Sequence, residues 1–99
     1  MAISLNKTLV GTAYTLYFVS TILVFDGEKV VTEENGWQSQ THYTEGFFPM
    51  VRRVESLIGG NLIDIMNAMY PDNYTVCIGA VDNYLVASVP YYSGGTVVS

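Results

Sequence analysis

The chain has 99 residues, enough for one domain with a single core, and only 13% of them are charged, against about 25% in an average soluble domain. Nine acidic and four basic residues give a net charge of −5, which argues against binding to nucleic acid or to an anionic membrane surface. The only cysteine, Cys77, excludes an intrachain disulfide and is expected in the core. We therefore expect a soluble protein that binds other proteins.

The run from Thr8 to Phe25 contains no charged residue and has the length of a transmembrane helix. It is rich in β-branched residues, however, and leads directly into Asp26-Gly27, a typical hairpin turn. We interpret the run as a buried strand and expect no membrane span.

Two turn dipeptides predict a three-stranded antiparallel meander. Asp26-Gly27 and Asn35-Gly36 both suit type I′ turns and separate strands expected over residues 14–25, 28–34 and 37–43. The first of these is apolar on both faces and is expected at the centre of the sheet, or to bend near Ser20. The other two are more polar on one side and should have a solvent-facing surface.

A helical region is predicted next. Thr44 is a candidate N-cap, and the apolar residues after it are spaced as on one face of a helix. They are Phe47, Phe48, Val51, Val54, Leu57 and Ile58. Gly59-Gly60 should end this helix, and Asn61 can cap a second helix that stops at Pro71. A single kinked helix is the alternative.

The last third of the chain is predicted to form a hairpin. Its strands are expected over residues 74–80 and 84–89, with Asp82-Asn83 at the turn. Residues 93–99 form either a flexible tail or an added edge strand. The predicted fold is therefore α+β, a single domain over residues 1–99 with element order β-β-β-α-α-β-β and helices packed on one face of an antiparallel sheet.

No catalytic, cofactor-binding or metal-binding motif is recognisable, so we expect neither an enzyme nor a cofactor. His42 has no metal ligands at suitable spacing, and the environment of Asp64 is that of a helix surface. Arg52, in the only basic doublet, has Glu55 three residues away as a surface partner. These three residues are the first candidates if a ligand site forms between chains.

The aromatic residues favour an interaction function. Tyr and Trp are typical interface anchors, and the candidates are Trp37, Tyr70, Tyr84, Tyr91 and Tyr92. The leading hypothesis is a non-enzymatic, homo-oligomeric subunit of a virion, filament or other assembly. The alternative is a small acidic inhibitor or adaptor that binds another protein, of the phage anti-defence or toxin-immunity type. A small enzyme or ligand-binding domain is a third hypothesis.

Overall fold

A five-stranded antiparallel sheet forms the middle of the molecule. The computed structural model describes residues 1–26, 28–69 and 74–98. Neighbouring strands pair in the order β4-β3-β2-β1-β5, so that β4 and β5 lie at the edges and β2 lies at the centre. The strands are β1 (Ala2–Leu9), β2 (Thr12–Phe25), β3 (Val30–Trp37), β4 (Val51–Leu57) and β5 (Thr96–Val98).

Within the described ranges, three α-helices complete the fold: α1 (Gln40–Thr44), α2 (Gly60–Met69) and α3 (Tyr74–Ser88). A 3₁₀ helix, Pro90–Tyr92, follows α3. This combination confirms the predicted α+β class. The element order β-β-β-α-β-α-α-β differs from the predicted one. Three consecutive strands, β1 to β3, do form an antiparallel meander, and the chain does end in an added edge strand, since β5 pairs with β1.

The core lies between one face of the sheet, the inner face, and the two longer helices. Because alternate residues of a strand share a face, the pairs Ile3–Phe18 and Leu5–Leu16 place four large side chains together on it. These side chains are joined from the helical layer by Leu62, Met66, Cys77, Val81, Leu85 and Tyr92. Helix α1 lies against the opposite, outer face, where the Tyr43 ring packs on Tyr17 with centroids 5.7 Å apart.

The uncharged run from Thr8 to Phe25 is not one strand, as predicted, but parts of two. Val10 and Gly11 have φ angles of 49° and 80° and form the turn between β1 and β2. Two successive positive φ angles match the right-handed twist of a hairpin, although a β-branched residue rarely adopts one. The turn was not recognised because valine is an unusual residue in that position.

The predicted turn at Asn35-Gly36 is wrong, since both residues lie inside β3. A Cβ atom on Gly36 would come within 2.7 Å of the Phe18 ring, so glycine is needed there for close packing between strands. The strand predicted over residues 37–43 is wrong as well: it contains the end of β3 and most of α1, which Ser39 caps through its hydroxyl. The connection after Phe25 lies where it was predicted, with Gly27 itself outside the described residues.

The helix predicted from Thr44 through Ile58 is wrong, because residues 51–57 form β4 and pair with β3. Pro49 lies in the middle of the predicted helix, and a proline there removes a backbone donor and clashes with the preceding turn. The second predicted helix is confirmed by α2, and its expected end at Pro71 lies outside the described residues.

The C-terminal hairpin is also wrong, since α3 occupies residues 74–88. The alternation of side-chain types over residues 74–80 was mistaken for the pattern of a strand. Cys77, Val81 and Leu85 instead recur every four residues, as on one face of a helix, and are completely buried. Asp82, expected in a turn, lies on this buried face.

Candidate functional site

Strand β4 combines a sheet edge with exposed apolar side chains. Among the described residues, β4 forms its ladder with β3 alone, which leaves its other backbone edge without a strand partner. Val54 lies on the outer face of β4 and is 50% exposed, while Met50 and Ile58 flank the strand four residues to either side and are also exposed. We call these three exposed residues, which are spaced four apart along the chain, the edge patch (Met50, Val54 and Ile58).

The loop before β4 extends the exposed apolar surface. Phe48 is 94% exposed and Phe47 more than half exposed. The loop is held in place because the Trp37 indole N–H donates to the Phe47 carbonyl at 2.6 Å, and the Trp37 and Tyr43 rings meet edge to face with centroids 4.8 Å apart. The two phenylalanines are therefore presented on an anchored loop.

The predicted interface aromatics are found in different environments. Trp37 is half-buried beside the exposed loop, as a supporting residue. Tyr84 and Tyr91 are half-buried and pack against the core, and Tyr70 lies outside the described residues. Tyr92 is completely buried, so its assignment as an interface anchor is corrected: it is a core residue.

The three residues considered for a ligand site do not come together. Arg52 pairs with Glu33 at 2.6 Å on the outer face and holds the pKa of Glu33 below its usual range. The Ser39 hydroxyl lies 2.6 Å from the His42 ring at the start of α1. Asp64 is exposed on α2, on the other side of the sheet. Cys77 is fully buried, and burial raises the pKa of its thiol, which disfavours the reactive thiolate.

Polar side chains are buried between the sheet and α3. The Ser20 hydroxyl donates to Asp82 Oδ1 at 2.5 Å, and no hydrogen-bond partner is found for Asp82 Oδ2 within the described part of the chain. Burial raises the pKa of Asp82 to about 6, against the opposing effect of the Ser20 hydrogen bond. This carboxyl group therefore changes its charge at a pH closer to neutral than an ordinary aspartate does.

A second buried carboxyl, Glu34, is the direct cross-strand neighbour of Ser20. The Tyr92 hydroxyl donates to its Oε1 at 3.1 Å. Burial raises the pKa of Glu34, although hydrogen bonds from neighbouring hydroxyls and the charge of Arg53 act in the opposite direction. Arg53 in turn pairs with Glu55 at 2.8 Å and stacks over the Tyr91 ring, 3.8 Å from its centroid.

This polar cluster is enclosed. Glu34 and Asp82 are both completely inaccessible, so a dissolved substrate cannot reach either carboxyl in this conformation. Across the described ranges, no group of three or more His, Cys, Asp or Glu side chains could hold a metal ion. The surface around β4 is therefore the better candidate for a functional site.

The exposed residues around β4 were missed by sequence reasoning because Phe47, Phe48, Val54 and Ile58 were assigned to the buried face of a helix. A signal for the correct structure was present: Pro49 interrupts that helix, and residues 51–57 are then short enough for a strand.

The comparisons with known proteins give no further guide to function. No family model, no curated protein and no solved structure matches this chain. Within the described ranges, none of the helices has both the length and the apolar character needed to cross a membrane.

Proposed function

We propose that this chain is a non-enzymatic interaction domain that acts by self-association, as a subunit of a virion, filament or other assembly. One observation supports this proposal above others. Of the eleven exposed large hydrophobic residues in the described ranges, six lie within residues 43–58. They are Tyr43, Phe47, Phe48, Met50, Val54 and Ile58.

Such concentration is typical of an interface, since isolated exposed apolar residues are normal but contiguous ones are not. The same segment contains the edge strand β4, whose backbone can pair with another strand. The low content of charged residues points in the same direction, because it leaves more of the surface to uncharged polar and apolar side chains.

Size-exclusion chromatography with light scattering, from low micromolar to near-millimolar protein, tests the proposal. We expect a mass that rises with concentration from the 10.9 kDa of one chain towards at least twice that value. Phe48→Ser and Met50→Ser should weaken association. Ile65→Ser, at an exposed residue of α2 outside the surface around β4, is the matched control and should leave it unchanged.

A single-chain mass at every concentration contradicts the proposal. It favours the alternative function, an acidic inhibitor or adaptor whose partner is another protein.

A further inference from the structure

We propose that two copies of this chain pair through their β4 strands, antiparallel and about a two-fold axis that passes beside Val54. This inference rests on the proposed self-association and specifies its interface. The two five-stranded sheets then join into one sheet of ten strands. A two-fold axis perpendicular to the sheet keeps the helices of both copies on the same face.

The outer row of β4 is complementary to itself in this register. Val54 lies opposite the partner's Val54, and Met50 lies opposite the partner's Ile58. All three residues of the edge patch are exposed in the single chain, and the pairing covers each of them with an apolar neighbour. Arg52 lies opposite the partner's Ser56, so the row contains no pair of like charges.

The inner row is complementary as well. Arg53 lies opposite the partner's Glu55, and Glu55 lies opposite the partner's Arg53. Within one chain these two side chains already form an ion pair at 2.8 Å, and both retain exposed surface at the sheet edge. Pairing therefore brings two ion pairs side by side. Val51 and Leu57 complete the row as an apolar pair.

Neighbouring registers are unfavourable. Centring the pair on Arg53 places this arginine opposite its own copy, and centring it on Glu55 does the same for glutamate. Like charges directly opposite each other destabilise a strand pair. Registers centred on Arg52 or Ser56 pair only three β4 residues of each copy with each other, and the first also opposes two arginines. The sequence of β4 therefore selects Val54 as the centre.

Cysteine cross-linking tests the register. In the proposed dimer the two Cβ atoms at position 54 lie about 5 Å apart, close enough for a disulfide after small adjustment. Val54→Cys should therefore form a covalent dimer rapidly under mild oxidation. Val24→Cys is the matched control: Val24 is 44% exposed and shares the outer face, but its two copies are separated by five strand spacings, about 24 Å. The unmodified chain is the negative control and should form no covalent dimer, because its cysteine, Cys77, is buried.

Charge substitutions at Ser56 provide an independent test. Ser56 is exposed, so both of the following variants are expected to fold. In the proposed dimer, Ser56 lies opposite the partner's Arg52. Ser56→Glu creates two new ion pairs across the interface and should tighten the dimer several-fold, whereas Ser56→Arg should weaken it several-fold. The net charge of −5 alone predicts the opposite order, because added negative charge increases repulsion between copies.

The outcomes separate this inference from the proposed function. If the unmodified chain dimerises but Val54→Cys cross-links no faster than Val24→Cys, or the Ser56 variants follow net charge, the β4 register is wrong and self-association stands. If the unmodified chain remains a single chain at all concentrations, the proposed function fails, and this inference fails with it.

Discussion

Replacement of Asp82 by asparagine removes an ionisable group from the core while it keeps the size of the side chain and an oxygen for the Ser20 hydroxyl. Asp82 is completely buried, and its pKa is about 6, against an ordinary value of 3.8. One pKa unit corresponds to about 1.36 kcal/mol, so ionised Asp82 lowers the free energy of unfolding by up to about 3 kcal/mol.

The direction of the pH dependence follows from the order of the two pKa values. Because the folded-state value is the higher one, the folded protein holds the proton more tightly than the unfolded chain does. The stabilising contribution of Asp82 is complete below about pH 3.8 and is lost as the pH rises through about 6. Asp82→Asn should therefore match the unmodified protein at low pH and exceed its stability, by up to about 3 kcal/mol, at about pH 7.5.

Urea unfolding followed by circular dichroism, at a series of pH values and one fixed protein concentration, measures this difference. In the difference between the two proteins at each pH, the contributions of the carboxyl groups that they share to the free energy of unfolding cancel. Asp64→Asn, at an exposed position of α2, serves as the control for the loss of one carboxyl group from the chain. Equal pH profiles for Asp82→Asn and the unmodified protein would refute the reasoning, as would a less stable variant at about pH 7.5.

Three further predictions concern the core. Gly36→Ala should destabilise the fold by about 1–3 kcal/mol, because its Cβ would meet a buried phenyl ring at 2.7 Å, while Gly59→Ala, with open space around it, should change the denaturation midpoint little. Tyr92→Phe removes the hydroxyl that donates to Glu34, and it should cost about 1–3 kcal/mol in urea unfolding, with a smaller cost at low pH, where Glu34 is neutral. Cys77 should react with a thiol reagent only at the rate of unfolding, and rapid reaction in native buffer would contradict its burial.

Parts of this fold could be predicted because the sequence pattern within a segment agreed with the contacts that the segment makes in the folded chain. The apolar character of β2 on both faces indicated its central place, and the connection after Phe25 followed from its turn residues. The apolar residues from Leu62 onwards indicated α2, although the helix begins at Gly60 and the predicted cap, Asn61, lies inside it. Thr96–Val98 was recognised as a possible added strand, and it pairs with β1.

Two of the errors share one physical cause, which is that polar residues were taken as markers of exposed surface. Arg53 and Glu55 were placed on the outside of a helix, yet their strand directs both towards Tyr91 and the buried Glu34. Asp82 was placed in an exposed turn and lies in the core. Once buried polar side chains satisfy one another, a pattern of polar and apolar residues no longer distinguishes the two faces of an element.

The candidate site was missed for a related reason. A helix over residues 44–58 would have buried the apolar residues of this segment, so none of them was available as surface. Tyrosines near the C-terminal end of the chain were selected instead, and Tyr92 proved to be part of the core. The location of an exposed apolar surface depends on which strands pair, and strand pairing is a long-range property that residue spacing does not contain.

The two edges of the sheet differ in length: β4 has seven residues, whereas β5 has three. Pairing of β4 with its own copy uses the long edge of both chains, and only the two short β5 edges are left at the ends of the joined sheet. A three-residue edge offers few backbone groups to another strand, and very short edge strands are one way in which proteins prevent edge-to-edge aggregation. If β4 pairs in this way, we expect strand addition to stop at two chains. Growth into a fibre then requires a different contact, and the loop with Phe47 and Phe48 offers one exposed apolar surface for it.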